Sequence, residues 1–215
     1  MNTLDIKREI VQNITTTDVL KSVLKDKYKQ PLQKINYMVK IGDLISLKRG
    51  VYVFSEKYRI KDLNYILIAN ILHKPSYVSF EYALSYYGLI PERVYTITSA
   101  TSSKSVKYST ALGNFSYKRI PLKAYSLGVD WKYDNQDGGH FIATAEKALC
   151  DKIFLDKRAK NLKEDEILEY LEEDLRIEHD ELLKLDSKLF WHISMAYGSR
   201  VLLNVAKVLK RIQNG

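Results

Sequence analysis

One cysteine stands among 215 residues. Cys150 cannot close a disulfide within the chain, which fits a reducing compartment. Its surroundings, EKALCDKIF, read as helix, so a buried structural thiol is expected there. One cysteine and four histidines do not form a zinc-ligand spacing, and neither GxxxxGK nor HExxH occurs. No catalytic residue, metal or cofactor is therefore expected. Glycine and proline are sparse, at 9 and 4, and there is no internal repeat or low-complexity segment. No apolar run approaches the roughly 18 residues of a membrane span. The longest, Tyr65–Leu72 (YILIANIL), is broken by Asn70. The N-terminus, MNTLDIKREI, carries acids and no apolar core, unlike a signal peptide. These absences predict a cytoplasmic chain without a membrane partner.

Positive charge is plentiful. The net charge is +8, and it sits unevenly. Residues 1–62 carry 13 Lys+Arg against 7 Asp+Glu, a net +6. Residues 63–140 carry +3, and residues 141–215 carry −1. A basic front joined to a neutral rear suggests a polyanion-binding module attached to something else.

The first 54 residues read as three helices and a hairpin. Helix one lies near Thr3–Val11. Thr17 is expected to cap a second helix, with Val19, Leu20, Val23 and Leu24 at helical spacing. After the polar break KDKYKQ, Pro31 suits the first turn of a third helix. Leu32, Ile35, Met38 and Val39 form its apolar stripe, and Gly42 ends it. The β-rich runs Leu44–Leu47 and Val51–Phe54 are joined by Lys48-Arg49-Gly50, a hairpin signal. Polar residues Ser55–Asp62 mark a boundary, giving domains 1–60 and 61–215.

Beyond it, a helix is predicted over 62–73, and a short helix capped by Ser79 runs through Tyr87 to Gly88. Strands are predicted at Val94–Ser99, Val106–Ser109 and Asn114–Ile120. A turn-rich loop follows at 134–139, then a short strand at His140–Ala143. The last third is helical: one helix capped by Thr144, one carrying Ile167, Leu168, Leu171 and Leu175, and two near Ser187–Tyr197 and Arg200–Ile212. The fold class expected is α+β, with an N-terminal winged helix-turn-helix followed by a larger mixed α/β domain and a helical C-terminal part.

In a winged helix-turn-helix the third helix enters the major groove and the hairpin tip reaches the adjacent backbone or minor groove. With the apolar stripe facing inward, the third helix turns out Gln33, Asn36, Tyr37 and Lys40, at i, i+3, i+4 and i+7. Gln and Asn can bond adenine through two atoms, and Lys can reach guanine or phosphate. That face has no acid. Lys27, Tyr28, Lys29 and Lys34 flank it, and Lys48 and Arg49 stand at the expected wing tip. The candidate DNA-binding set is Lys29, Gln33, Lys34, Asn36, Tyr37, Lys40, Lys48 and Arg49.

Other motifs carry less. His179-Asp180-Glu181 sits in an acidic helix, as a solvated face would. Asp137-Gly138-Gly139-His140 reads as a turn into a strand. Gly198-Ser199 would suit a nucleotidyltransferase metal site only with carboxylates after it, and none follows. Sixteen tyrosines, many between Tyr77 and Tyr133, suit half-buried strands and helix faces, or base stacking.

Three blocks in order, GDLISLKRGVYVF, YVSFEYALSYYGLIPERVYTITSATSSKS and ATAEKALCDKIF, resemble the successive signatures of AbiEi-type antitoxins, the regulator half of type IV toxin–antitoxin pairs from phage abortive-infection systems. The resemblance covers the chain to about Leu155. It departs at Ala145, where such proteins commonly have proline. It implies a winged-helix N-terminal domain that binds inverted repeats in its own promoter and represses the operon. It also implies a C-terminal α/β domain that counteracts a nucleotidyltransferase-like toxin without a stable complex, and, with no catalytic motif found, no enzymatic activity is expected. A stand-alone transcription regulator with a ligand- or partner-sensing C-terminal domain is the alternative. An enzyme acting on nucleic acid through residues 63–215 is a third reading.

Overall fold

The structure, a computed structural model, describes residues 2–59, 61–134 and 138–214. It is a mixed α+β fold with two sheets. The first sheet belongs to the N-terminal elements α1 (Thr3–Glu9), β1 (Ile14–Thr16), α2 (Thr17–Leu24), α3 (Pro31–Lys40), β2 (Leu44–Lys48) and β3 (Val51–Phe54). Asn2 and Asp5 form a reciprocal capping box that starts α1. The cap of α2 is Thr16 rather than the expected Thr17: its hydroxyl accepts the Val19 amide. Thr17 instead becomes the first helical residue, because its amide is taken by the Gly50 carbonyl across the hairpin turn, 3.0 Å away.

Strand order in this sheet is β1-β3-β2, all antiparallel. The central strand β3 alternates, as a pleated strand must. Val51 and Val53 face one way and Tyr52 and Phe54 the other, and both faces are covered. Phe54 and Leu44 pack with Ile6, Ile10, Leu20, Leu24, Ile35 and Met38 in a small core of their own. Val51 and Val53, with Ile14 and Leu47, belong to the large core of the rest of the chain. The three-stranded sheet is thus a shared wall between the N-terminal helices and the remainder.

The second sheet follows α4 (Tyr65–Leu72) and is built from β4 (Ser76–Val78), β5 (Ile97–Thr101), β6 (Val106–Thr110), β7 (Gly113–Arg119), β8 (Val129–Asp134) and β9 (Gly138–Ala143). Its order is β6-β7-β5-β4-β9-β8. Hairpins β6–β7 and β8–β9 form its edges, and the parallel pairs β5–β7 and β4–β9 join them through the middle. Two of these strands, β4 and β8, were not legible as separate elements. Of the expected 134–139 loop, Asn135, Gln136 and Asp137 lie outside the described residues, while Asp134 ends β8 and Gly138 and Gly139 open β9. Within the run, α5 (Phe80–Tyr86) and α6 (Leu122–Tyr125) are short. Apolar on most sides, α4 is buried accordingly. Asn70 locks it to β9 by accepting the Phe141 amide (2.6 Å) and donating to the Phe141 carbonyl (3.2 Å).

The helical third comprises α7 (Ala145–Leu155), α8 (Ile167–Glu169) running into a π-helical turn over Tyr170–Asp174, α9 (His179–Lys184), α10 (Ser187–Tyr197) and α11 (Arg200–Asn214). The single predicted helix over Ile167–Leu175 is therefore this short, irregular pair. Thr144 caps α7 as expected. Cys150 is fully buried, and burial pushes its thiol well above the ordinary range.

Two residues one turn apart on α7 hold the larger unit together. Lys147 and Asp151 are both completely buried and 3.0 Å apart. Lys147 Nζ also donates to the Ala124 carbonyl (2.7 Å) and the Tyr197 hydroxyl (2.9 Å). Asp151 accepts from Tyr77 (3.0 Å), Ser79 (2.6 Å) and Tyr197. Every donor of the ammonium and both carboxylate oxygens are engaged. Burial, and after it the Asp151 charge, push the Tyr77 and Tyr197 phenols far above their usual range. Ser79, expected as a helix cap, makes no side-chain cap for α5; its hydroxyl serves Asp151 instead.

At the end of α7, Asp156 bonds Arg158 and the Tyr170 hydroxyl (3.1 Å). Its own burial would raise its pKa, but those bonds outweigh it and hold the carboxyl down to about 2.

Two outcomes follow for stability. Lys147→Met or Asp151→Leu alone removes about 3–5 kcal/mol, because each strands a buried charge. The double variant loses less than the two singles combined, and urea denaturation measures the difference. Asp156 has a depressed folded pKa, so its contribution is present above the ordinary carboxylate pKa of 3.8 and fades as pH falls toward about 2. Asp156→Asn should lower stability at pH 7 by at most about 2 kcal/mol. The gap from wild type should close below pH 4 in denaturation series at stepped pH.

Candidate nucleic-acid interface

The polar side of α3 is set by what its other side buries. Ile35 and Met38 have no exposed surface and pack on Leu20, Leu24 and Ile6. Pro31 occupies the first turn, where its missing N–H leaves no bond unmade. Gln33, Asn36, Tyr37 and Lys40 consequently face solvent, with Tyr37 54% exposed. These four residues share one open face as their spacing requires. Leu32 departs from its expected place in the buried stripe. It is 49% exposed, at the edge of the stripe, where it lines a cleft with Lys21 and Lys25.

Around that face the cations are distributed as follows. Lys29 is exposed in the turn before α3. Lys34 is half-buried, its ammonium 5.6 Å from the Tyr28 ring centre and 5.4 Å from that of Tyr37. That placement steadies the Tyr37 ring at the surface. Lys27 is neutralised by Glu9 at 2.6 Å, so it adds little net field. Two cations, one on α2 and one at its C-cap, escaped sequence reasoning. Lys21 and Lys25 are exposed and border, with Gln30, Leu32 and Gln33, a shallow cleft of about 440 Å³. Their i, i+4 spacing, continuing the polar face of α2 into its C-cap, was the available signal. The helix itself has no acid in its first turn; Asp18 and Asp26 are the exposed acids of α2 and the following turn.

The hairpin behaves differently from the expectation. Its turn is formed by Arg49 and Gly50, with Gly50 at φ +83°, a conformation that glycine adopts without strain. Arg49 is exposed. Lys48 is not a free tip cation. Its ammonium donates to the Leu72 carbonyl at the end of α4 and lies 5.3 Å from the Tyr108 ring centre. Burial, then the nearby Lys74 charge, lower its pKa. The reason is the shared wall. Leu47 and Val51, on either side of the turn, are buried in the large core, and Lys48 is carried with them into the joint. So the structure brings Gln33, Lys34, Asn36, Tyr37 and Lys40 onto one side of α3 with Lys29 beside it. Arg49 stays at the surface, and Lys48 is committed to an internal contact.

Elsewhere, one concavity of about 650 Å³ lies between α4 and the β8–β9 hairpin, walled by Tyr77, Tyr125, Trp131 and Phe141 with Lys74 among its lining residues. His179 pairs with Glu172 at 2.7 Å on the surface. Among the described residues no cluster of three His, Cys, Asp or Glu side chains is placed to hold a metal ion. No described helix is long and apolar enough to cross a membrane.

In comparison with known proteins, no family model matches the chain and no curated protein matches it.

Proposed function

We propose that the chain is a duplex-DNA-binding regulator whose N-terminal elements form a winged helix-turn-helix, and that it acts as the antitoxin and autorepressor of a type IV toxin–antitoxin pair. The observation that carries the DNA-binding part is the acid-free, solvent-facing side of α3 bearing Gln33, Asn36, Tyr37 and Lys40. The opposite side of that helix is sealed in a core of its own. Such a face offers amide groups for adenine and an ammonium for guanine or phosphate. Lys21, Lys25, Lys29 and Arg49 supply phosphate contacts, which position the helix without reading sequence. The antitoxin role rests on the resemblance of the three sequence blocks to AbiEi-type antitoxins. On that reading the protein binds inverted repeats in its own promoter, works in the cytoplasm without catalysis, and opposes a nucleotidyltransferase-like toxin with which it forms no stable complex.

A second reading has a specific observation behind it. The aromatic concavity beside α4 would suit a regulator whose C-terminal part senses a small ligand, because Lys48 of the hairpin bonds the end of the same helix.

Binding to duplex DNA from the upstream region of its own gene should weaken steeply with salt. About six phosphate contacts give a slope near −5 in log K against log salt. A salt-independent affinity, or one no tighter than a generic basic protein shows, overturns the reading. Asn36→Ala should relax sequence preference by about 1–3 kcal/mol of discrimination, read by competition among operator variants. Arg49→Ala should weaken all sequences alike and flatten the slope by about one unit. Lys48→Ala should leave that slope in place and lower thermal stability instead, since it breaks the bond to Leu72.

The antitoxin role has its own test. Residues 1–215 expressed with a nucleotidyltransferase toxin encoded beside them should restore growth, and failure of the full chain to do so removes that role while leaving DNA binding intact.

A further inference from the structure

The net −1 of residues 141–215 conceals a sharp division. Residues 141–186 carry 8 Lys+Arg and 14 Asp+Glu, a net −6, whereas residues 187–215 carry five cations and no acid. That acid-free segment is the pair α10 and α11, joined by Gly198-Ser199, with Gly198 at φ +60° to turn the chain. On α10, Lys188, Trp191 and His192 fall at i, i+3 and i+4, one face of a helix. On α11, Lys207 and Lys210 fall at i, i+3. The two faces meet in a groove of about 640 Å³ that all five residues line.

All five are exposed, and the Trp191 indole keeps 42% of its surface open. Among the described residues, Lys188, Lys207 and Lys210 have no carboxylate partner. Three unpaired ammoniums around one concavity repel one another, and a polyanion relieves that repulsion. An open indole beside them supplies a flat apolar surface on which a nucleobase stacks, and an acidic segment without aromatic residues has no counterpart for it. A duplex keeps its base faces stacked inside, so it presents none to Trp191; a single strand does.

We infer that the α10–α11 groove is a binding site for single-stranded nucleic acid, in which a base stacks on Trp191 and adjoining phosphates lie on Lys188, Lys207 and Lys210. This does not rest on the duplex-DNA reading, because the site uses none of the residues around α3.

The test uses the full chain and labelled 12-nucleotide strands, oligouridylate, oligoadenylate and oligothymidylate, followed by fluorescence anisotropy across a salt series. Three phosphate contacts to a single strand predict a slope of about −2 in log K against log salt. The triple variant Lys188→Glu/Lys207→Glu/Lys210→Glu should bind at least tenfold more weakly. Trp191→Ala should weaken binding about tenfold without changing the slope, and Trp191→Phe should recover most of it. All these positions are exposed, and circular dichroism melting checks that the variants fold. The ribo- and deoxyribo-strands distinguish RNA from DNA as the source, and the inference stands on binding to either. Unchanged binding by the triple variant overturns it. So does oligoglutamate competing as well as an oligonucleotide of equal charge, or a loss of single-strand binding in Asn36→Ala or Lys40→Ala rather than in the groove variants. A failure of duplex operator binding with single-strand binding intact would count against the regulator reading alone.

Discussion

Burial of both faces of the three-stranded sheet is the constraint from which the rest of the architecture follows. A strand as short as β3 cannot present Val51 and Val53 to water on one side while Phe54 packs on the other without exposing an apolar patch. Covering both faces fixes the N-terminal helices on one side and the larger unit on the other. The helix α3 then lies on the far side of its own small core, with its polar face turned away from that core. The same constraint takes Lys48 out of solvent. Its neighbours Leu47 and Val51 are drawn into the joint, and its ammonium settles on the end of α4. An arginine one residue later stays exposed, so the hairpin divides its two cations between holding the joint and facing solvent.

Within the larger unit the Lys147–Asp151 pair plays the corresponding part. A buried ion pair is seldom a source of net stability by itself, since desolvation offsets the attraction. Here its value is in geometry. The two charges recruit hydroxyls from β4, from the turn into α5 and from α10, and a carbonyl from α6. The recruited residues lie as many as 74 positions from Asp151 in sequence, and any that moved would leave a buried charge short of a partner. The pair therefore selects one arrangement of the sheet and helices over other compact ones.

The cationic surfaces are also products of segregation. The basic front of the chain and the acid-free α10–α11 pair are different in kind. Around α3, amide side chains and a tyrosine alternate with lysines on an exposed helix face. Between α10 and α11 the lysines border a concavity with an indole among them. The acidic residues of 141–186 lie between these two cationic regions in sequence. A whole-segment net charge averages over this pattern and loses it.

Local features were legible from sequence because short-range geometry determines them. The bounds of α10 at Ser187–Tyr197, the Pro31 start of α3 and the Thr144 cap depend on residues within a turn or two. The outward set Gln33, Asn36, Tyr37 and Lys40 follows from helical periodicity once Ile35 and Met38 are buried. What escaped depends on partners distant in the chain. The three-residue strands β1 and β4 exist because β3 and β5 bond to them, and their own pattern is too short to announce a strand. Ser79 looks like a cap until Asp151 claims its hydroxyl. The sequence by itself determined most of the helices, the glycine turn of the hairpin and the signs of the charges, because each is settled by neighbours along the chain. Only the tertiary structure decided which lysine is buried, which hydroxyls serve Asp151, and which cations share a groove, because burial and hydrogen bonding are properties of surfaces that distant residues bring together.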